Sequence, residues 1–248
     1  MANSNDAHPD FLHHHFHTVE QQKAASKLGM WAFLAQELLF FSGLFMAYSV
    51  YRFWYPDTLL AASEYLSVFY GGINTVFLLT SSLTMALAVR AAQTGNMPQL
   101  KWQLIFTIAF ACLFMVVKYI EYSHKIHDCL LPGDYYGLPE KDAEGNFIPG
   151  DQDGRKFAEH CEVPIKGAAD GTLEPKSAGI FFGIYFVMTG THGLHVVIGI
   201  FLLYWILRRG MKGDFGPEYY SPVEYVGLYW HLVDLIWIFL FPLLYLIK

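Results

Sequence analysis

Five stretches of this chain are apolar over lengths that match a bilayer, near residues 28–51, 68–92, 102–123, 177–207 and 224–247. A hydrocarbon core of about 30 Å needs roughly 20 helical residues, so each predicts one membrane-crossing helix. The fourth is longer than a bare crossing needs and should tilt or project into water. Signals at the ends agree with these limits. Gly95 and Pro98 break the chain between the second and third stretches, and Ser221-Pro222-Val223-Glu224 reads as a capping box with Pro at the first helical position. Small residues (Gly43, Gly71, Gly72, Ser81, Ser82, Gly190, Gly193, Gly199) fall on spans one, two and four, where they permit close helix contact.

Polar residues interrupt every one of these stretches. Glu37 lies within the apolar run Gly29–Tyr48, roughly 10 Å from its start at about 1.5 Å per residue. Asn74 interrupts the second span, Lys118 and Glu121 the third, His192 and His195 the fourth, and His231 and Asp234 the last. A carboxylate at such depth costs several kcal/mol unless it is protonated, paired or beside a cavity. These positions are therefore the candidates for function.

Composition supports the membrane reading, with 54% hydrophobic, 17% aromatic and only 15% charged residues. That balance excludes an ordinary soluble domain, and nothing in it calls for a nucleic-acid partner. The fold expected is an all-α integral membrane bundle of five helices, 26–248, preceded by a tail, 1–25. The tail has no apolar signal segment, so the first span doubles as the insertion signal. Lys23, Lys27, Arg90, Lys101, Arg208, Arg209 and Lys212 flank one side of the spans. By the positive-inside rule the N-terminus is then cytoplasmic and the C-terminus periplasmic or outside.

That topology puts the long insert between helices three and four, 124–176, on the extracytoplasmic face. It is rich in Gly and Pro and carries 11 acidic against 6 basic residues, which predicts irregular turns and short hairpins. Cys129 and Cys161 both lie in it and form a candidate disulfide, because an outward loop meets an oxidising compartment. Cys112, inside span three, reads as a small core residue.

Two chemistries compete for the polar groups. Pairs three residues apart share a helix face: Glu121 with His124, His192 with His195, and His231 with Asp234. The sharper reading is a metal site, since Glu121-Tyr-Ser-His124 matches the Glu-x-x-His unit of di-iron bundles. Such a site needs two of these units, and one is present. The alternative is cohesion, with His231 paired to Asp234, Lys118 paired to Glu121, and histidines bridging helices or lipid headgroups. Glu37 has no cation near it in sequence, which leaves protonation, a bond across helices, or water.

The motifs in order are Gly29-Met-Trp31 with Glu37, Phe40-Phe41-Ser-Gly43-Leu-Phe45, then Asn74-Thr75 with Leu79-Thr-Ser81-Ser82. Glu121-Tyr122, His192-Gly-Leu-His195-Val196 and Tyr229-Trp230-His231 with Asp234, Trp237 and Leu240 complete them. Taken together they resemble subunit III of the haem-copper terminal oxidases across all five spans. The resemblance implies an accessory, non-redox subunit of a proton-pumping oxygen reductase, with cytochrome c oxidase as the leading complex. A quinol oxidase or nitric oxide reductase complex, and an independent di-metal membrane enzyme, are the alternatives.

It further implies that haem and copper sit in partner subunits and none in this chain, that subunit I is the main contact, and that subunit II is a further partner. Phospholipid is expected in a cleft between helices. Trp31 and Glu37 would face that cleft on the side by which oxygen reaches subunit I. His192, His195 and Arg208 would bind helices or lipid phosphate, and His231 with Asp234 would lock the last helix into the bundle; Asn74 and Glu121 complete the set. Longer members of the family have seven spans, so a small subunit or extra helices of subunit I would replace the two absent here. The insert 124–176 is long enough to reach a cytochrome or a respiratory supercomplex partner. The location expected is a bacterial cytoplasmic membrane. His8, His13, His14, His15 and His17, placed on the proton-uptake side, form a candidate proton antenna.

Overall fold

The computed structural model describes residues 16–63, 66–127 and 175–246. Its helices are α1 (Val19–Trp54), α2 (Pro56–Ser63), α3 (Val68–Gln93), α4 (Met97–His127), α5 (Pro175–Lys212) and α6 (Ser221–Phe241), followed by a π-helical turn (Pro242–Leu246). Five helical segments are long and apolar enough to cross a membrane, and the described residues contain no strand. The all-helical, five-span class expected from the apolar pattern is therefore observed. The insert between 128 and 174, with Cys129 and Cys161, lies outside the described residues, as do His8, His13, His14 and His15.

Four of the long helices close a ring. α3 packs on α4 and on α6, and α5 packs on the same two neighbours. α1 lies outside this ring, against α5 and α6, and the short α2 rests on α5. The buried positions of α1 are Leu34, Glu37, Phe41, Tyr48 and Tyr51, a single stripe at helical spacing. The opposite face presents Leu38, Leu39, Met46, Val50 and Phe53 to the surroundings. In a bilayer such a face is solvated by lipid, so the hydrophobic effect does not hold α1 in place; close packing and polar contacts must.

The helices run past the apolar limits on which the spans were predicted. α1 begins at Val19, where the Thr18 hydroxyl accepts from the Gln21 N–H at 3.1 Å. α4 begins at Met97 instead of 102, because Asn96 caps it: its side-chain oxygen accepts from Gln99 N–H at 3.2 Å and its amide donates to Gln99 Oε1 at 3.1 Å. Apolar content marks where a helix enters lipid, whereas caps mark where its hydrogen bonds end. Pro98, read as a breaker, sits in the first turn of α4, where its missing N–H costs nothing. Gly95 is the true break. It takes φ +73°, and the Asn96 N–H to Ala91 carbonyl and Gly95 N–H to Ala92 carbonyl bonds close α3 as a Schellman motif.

Three further expectations are corrected. α6 starts at Ser221 as predicted, but Tyr220 is its cap residue and makes no side-chain capping bond, so the capping box is not formed; Pro222 in the first turn carries the signal alone. Cys112 is exposed on the outer face of α4 and is not a core residue. α2 was not foreseen; Pro56 at its first position and Asp57 beside it were the available signs.

Close contact between α5 and α6 rests on Gly199. A Cβ there would lie 2.6 Å from Trp230 Cζ3. Gly43, Gly72 and Gly193, grouped with it by sequence, have nothing within 4 Å of such a Cβ. Gly199→Ala is expected to destabilise the protein by about 1–3 kcal/mol through overpacking against Trp230. Gly193→Ala, which gains helix propensity without a clash, is expected to be neutral or stabilising by up to ~1 kcal/mol. The melting temperatures of the two variants in detergent check the contrast.

Candidate functional site

Among the described residues, a dense polar cluster is built on Glu121 of α4, which is 2% exposed. Its Oε2 accepts from Lys118 Nζ at 2.8 Å, one turn back on the same helix. Its Oε1 accepts from Lys125 Nζ at 3.1 Å, one turn ahead. Two phenols complete the shell, Tyr185 of α5 at 3.0 Å and Tyr245 of the π-turn at 2.6 Å, both to Oε1. Lys118 Nζ also donates to the Tyr245 hydroxyl at 2.8 Å and stands 4.5 Å from the centre of the Trp237 ring. One carboxylate therefore joins α4, α5 and the end of α6 through charge-assisted hydrogen bonds.

The Lys118–Glu121 pair was legible from its spacing, and Lys125 could have been found by the same rule at i,i+4. Tyr245 could not. The turn that follows Pro242 is π-helical, and it carries Leu244 and Tyr245 inward. The same turn presents the Leu243 carbonyl to the Tyr48 hydroxyl of α1 at 2.8 Å.

The second site links α1 to the ring. Glu37 Oε2 lies 3.0 Å from His195 Nε2 on α5, so the bond across helices is the alternative realised for Glu37. His195 Nδ1 lies 2.8 Å from the Thr191 carbonyl, which can only accept. Nδ1 therefore carries a hydrogen, and the Nε2···Oε2 contact needs one more between its two atoms. Whether that proton sits on the imidazole or on the carboxyl, the pair as a whole is neutral. Phe41 packs edge-on against the His195 ring at 5.2 Å, and the Tyr229 hydroxyl donates to the His195 carbonyl at 3.0 Å.

The remaining predicted positions separate. His192, one turn from His195, points into the ring between Phe114 and Trp237, whose ring centroids lie 5.7 and 5.2 Å away. His231 does not pair with Asp234. Its Nδ1 is 2.7 Å from the Ser82 hydroxyl of α3, while the Asp234 carboxyl is buried with no hydrogen-bond partner. The two side chains lie three residues apart, but the imidazole takes the Ser82 hydroxyl and not the carboxyl as its partner. Asn74 is likewise buried without a partner. Trp230 Nε1 donates to Ser81 at 2.8 Å and Trp237 Nε1 to Thr75 at 3.1 Å, so the last helix is fastened to α3 by its indoles.

Trp31 is 57% exposed on α1, and Arg208 is exposed near the end of α5. Its neighbour Arg209 carries the local structure instead, with Nε 3.0 Å from Asp214 and the guanidinium over the rings of Trp205, Phe215 and Tyr219. His17 is exposed, and its backbone N–H donates to Gln21. His124 is exposed beside Tyr70, whereas the buried Glu121 is bonded to Lys118, Lys125, Tyr185 and Tyr245, so the two members of the Glu-x-x-His unit face different surroundings. Among the described residues, no group of three or more His, Cys, Asp or Glu could hold a metal ion.

Removing one partner of a buried ion pair leaves the other charge uncompensated, at roughly 3–5 kcal/mol. Glu121→Ala strands two lysines and two phenols and is expected to fall in that range. Lys118→Met is expected to cost less, because Lys125, Tyr185 and Tyr245 still bind the carboxylate. Chemical denaturation of the purified variants, or their yield in membranes, gives the order.

The last two helices, with their Gly199 contact and the motifs around His195 and Asp234, fall within the match to the family model described as cytochrome c oxidase subunit III, which covers residues 174–248. Relatives align over most of the chain. The quinol oxidase subunit 3 of Bacillus spizizenii is 29% identical over 219 residues, 88% of this chain and 85% of its own length. The probable cytochrome c oxidase subunit 3 of Mycobacterium leprae is 26% identical over 238 residues, 94% of this chain and 92% of its own. The haem-copper oxidase subunit I+III of Aeropyrum pernix is 28% identical over 229 residues; the chain aligns over 88% of itself and spans 22% of that longer protein. The family match over the last two helices, these alignments over most of the chain and five apolar spans in the expected order make the chain similar to subunit III of the haem-copper oxidases.

Proposed function

We propose that this chain is an accessory, non-redox subunit of a proton-pumping haem-copper oxygen reductase, working beside a subunit I that holds the haem and copper. Its contribution is to prolong the working life of the catalytic subunit through stable helix contacts and bound phospholipid. The observation that carries this reading is the use of the polar core. Glu121 is spent on two lysines and two tyrosines, Glu37 on His195, and His231 on Ser82, so these groups fasten helices to one another. A relative in which subunits I and III form one polypeptide supports subunit I as the neighbour. Cytochrome c is the favoured electron donor, with quinol as the second reading because a quinol oxidase subunit 3 is about as similar.

Exposed Trp31 and Arg208 suit a lipid tail and a lipid phosphate respectively, whereas His192 is fully buried and suits a role within the ring. The orientation favoured by the basic loops keeps the N-terminus in the cytoplasm and the insert outside. In that orientation His8, His13, His14, His15 and His17 face the proton-uptake side, and they buffer protons there. Replacing all five by Gln is expected to slow turnover more at alkaline than at neutral pH, and an unchanged profile removes this role.

Tagging the chain, purifying its assembly in mild detergent and then stripping the subunit tests the main proposal. Haem and copper should stay with the remaining subunits, and oxygen reduction should start normally but decay faster. Glu37→Ala, which unfastens α1, and His231→Ala, which unfastens α6 from Ser82, are each expected to shorten that lifetime several-fold while changing the initial rate less than twofold. Equal loss from the first turnover would instead mean direct participation in the chemistry.

A further inference from the structure

Among the described residues, six buried side-chain atoms have no hydrogen-bond partner: both amide atoms of Asn74, both ring nitrogens of His192 and both carboxyl oxygens of Asp234. Asn74 and His192 are 0% exposed and Asp234 is 2% exposed. They come from three different helices, α3, α5 and α6, and the contacts around them place them in one stretch of the ring. Asn74 adjoins Thr75, which receives the Trp237 indole. His192 lies against that same indole ring. Asp234 is one turn before Trp237 on α6 and one turn after Trp230, whose indole is bonded to Ser81. Ser82 stands close to the Asp234 carboxyl, but its hydroxyl is already directed to His231.

Buried polar groups in folded proteins nearly always find a partner, either in the protein or in ordered water. Inside a membrane bundle the demand is stricter, because no bulk solvent is near. Three orphaned side chains in one stretch, offering an amide donor and acceptor, an imidazole donor and acceptor, and a carboxyl, supply the two to four partners that an internal water requires. An apolar cavity would stay dry; this lining is polar.

We propose that the interior of the α3–α6 ring binds ordered water at Asn74, His192 and Asp234. The water joins these three side chains to one another, at the depth of the two indoles. On one side of it lie Lys118 and Glu121, with Lys118 over the Trp237 ring; on the other lie Ser81, Ser82 and His231. The result is a polar column from Tyr245 to Trp230, fifteen residues along the last helix and its turn, or about 22 Å at ~1.5 Å per residue. The inference stands on the orphaned groups and holds whichever oxidase the chain serves.

The test is a cryo-electron microscopy map of the intact complex in lipid nanodiscs, at a resolution that shows single waters. Density within hydrogen-bond distance of an Asp234 carboxyl oxygen and of a His192 ring nitrogen is expected. A dry interior, with Asn74, His192 and Asp234 bonded directly to each other, overturns the proposal. A second measurement uses the sign of a stability change. If water holds these groups, Asp234→Leu deprives it of partners and should lower the melting temperature by roughly 2–4 °C or more. If Asp234 is a dry orphan, the same change removes an unsatisfied group and the melting temperature rises, which also overturns the proposal. Asp234→Asn, which keeps the polar contacts, should retain the density.

Discussion

The carboxylate of Glu121 sits where neither water nor lipid can solvate it, and that constraint organises one end of the molecule. An ionised group so placed persists only if donors reach it from several directions at once. Here the donors come from α4 itself, from α5 and from the residues after α6. The π-helical turn at Pro242–Leu246 supplies one of them, the fully buried Tyr245. Hydrophobic burial cannot provide this definition in a bilayer, since lipid tails serve apolar side chains as well as another helix does. Specific polar bonds and close glycine contacts, such as Gly199 against Trp230, select one arrangement among many that are equally greasy.

The sequence carried the number, order and class of the helices, because twenty-residue apolar runs have one stable solution in a membrane. It also marked which residues were out of place: Glu37, Asn74, Lys118, Glu121, His192, His195, His231 and Asp234 are all buried or at helix contacts. Partners were legible only where they lay one turn away on the same helix, as for Lys118 and Glu121. The same rule failed for His231 and Asp234. Three residues of spacing place two side chains about 60° apart around the axis, so sharing a face does not make them meet, and the Ser82 hydroxyl of α3 takes the imidazole instead. Glu37 with His195, 158 residues apart, and Tyr245 with Glu121, 124 apart, depend on the packing of the whole chain. Boundaries were missed for a simpler reason, since hydropathy does not see the caps at Thr18 and Asn96.

The protein is two structures of unequal cohesion. The ring of α3 to α6 is cross-linked at several depths, by Thr84 with Thr107, Trp230 with Ser81, Trp237 with Thr75, and the Glu121 cluster. α1 touches it along one stripe, fixed at Glu37 in the middle and Tyr48 further along, with Lys23 and Tyr225 meeting near its start. A helix held in this way leaves a broad apolar face for whatever adjoins it, lipid or another chain.

That arrangement has a consequence for how the chain is made. α1 is synthesised first, and the histidine that receives Glu37 follows it by 158 residues. At roughly 5–20 residues per second, α1 waits some 10–30 s in the membrane before His195 exists. During that interval the bond across helices that fixes the middle of α1 cannot form. The fastening of α1 at Glu37 thus waits on the synthesis of α5, and the first helix made is fixed at its middle only by one of the last.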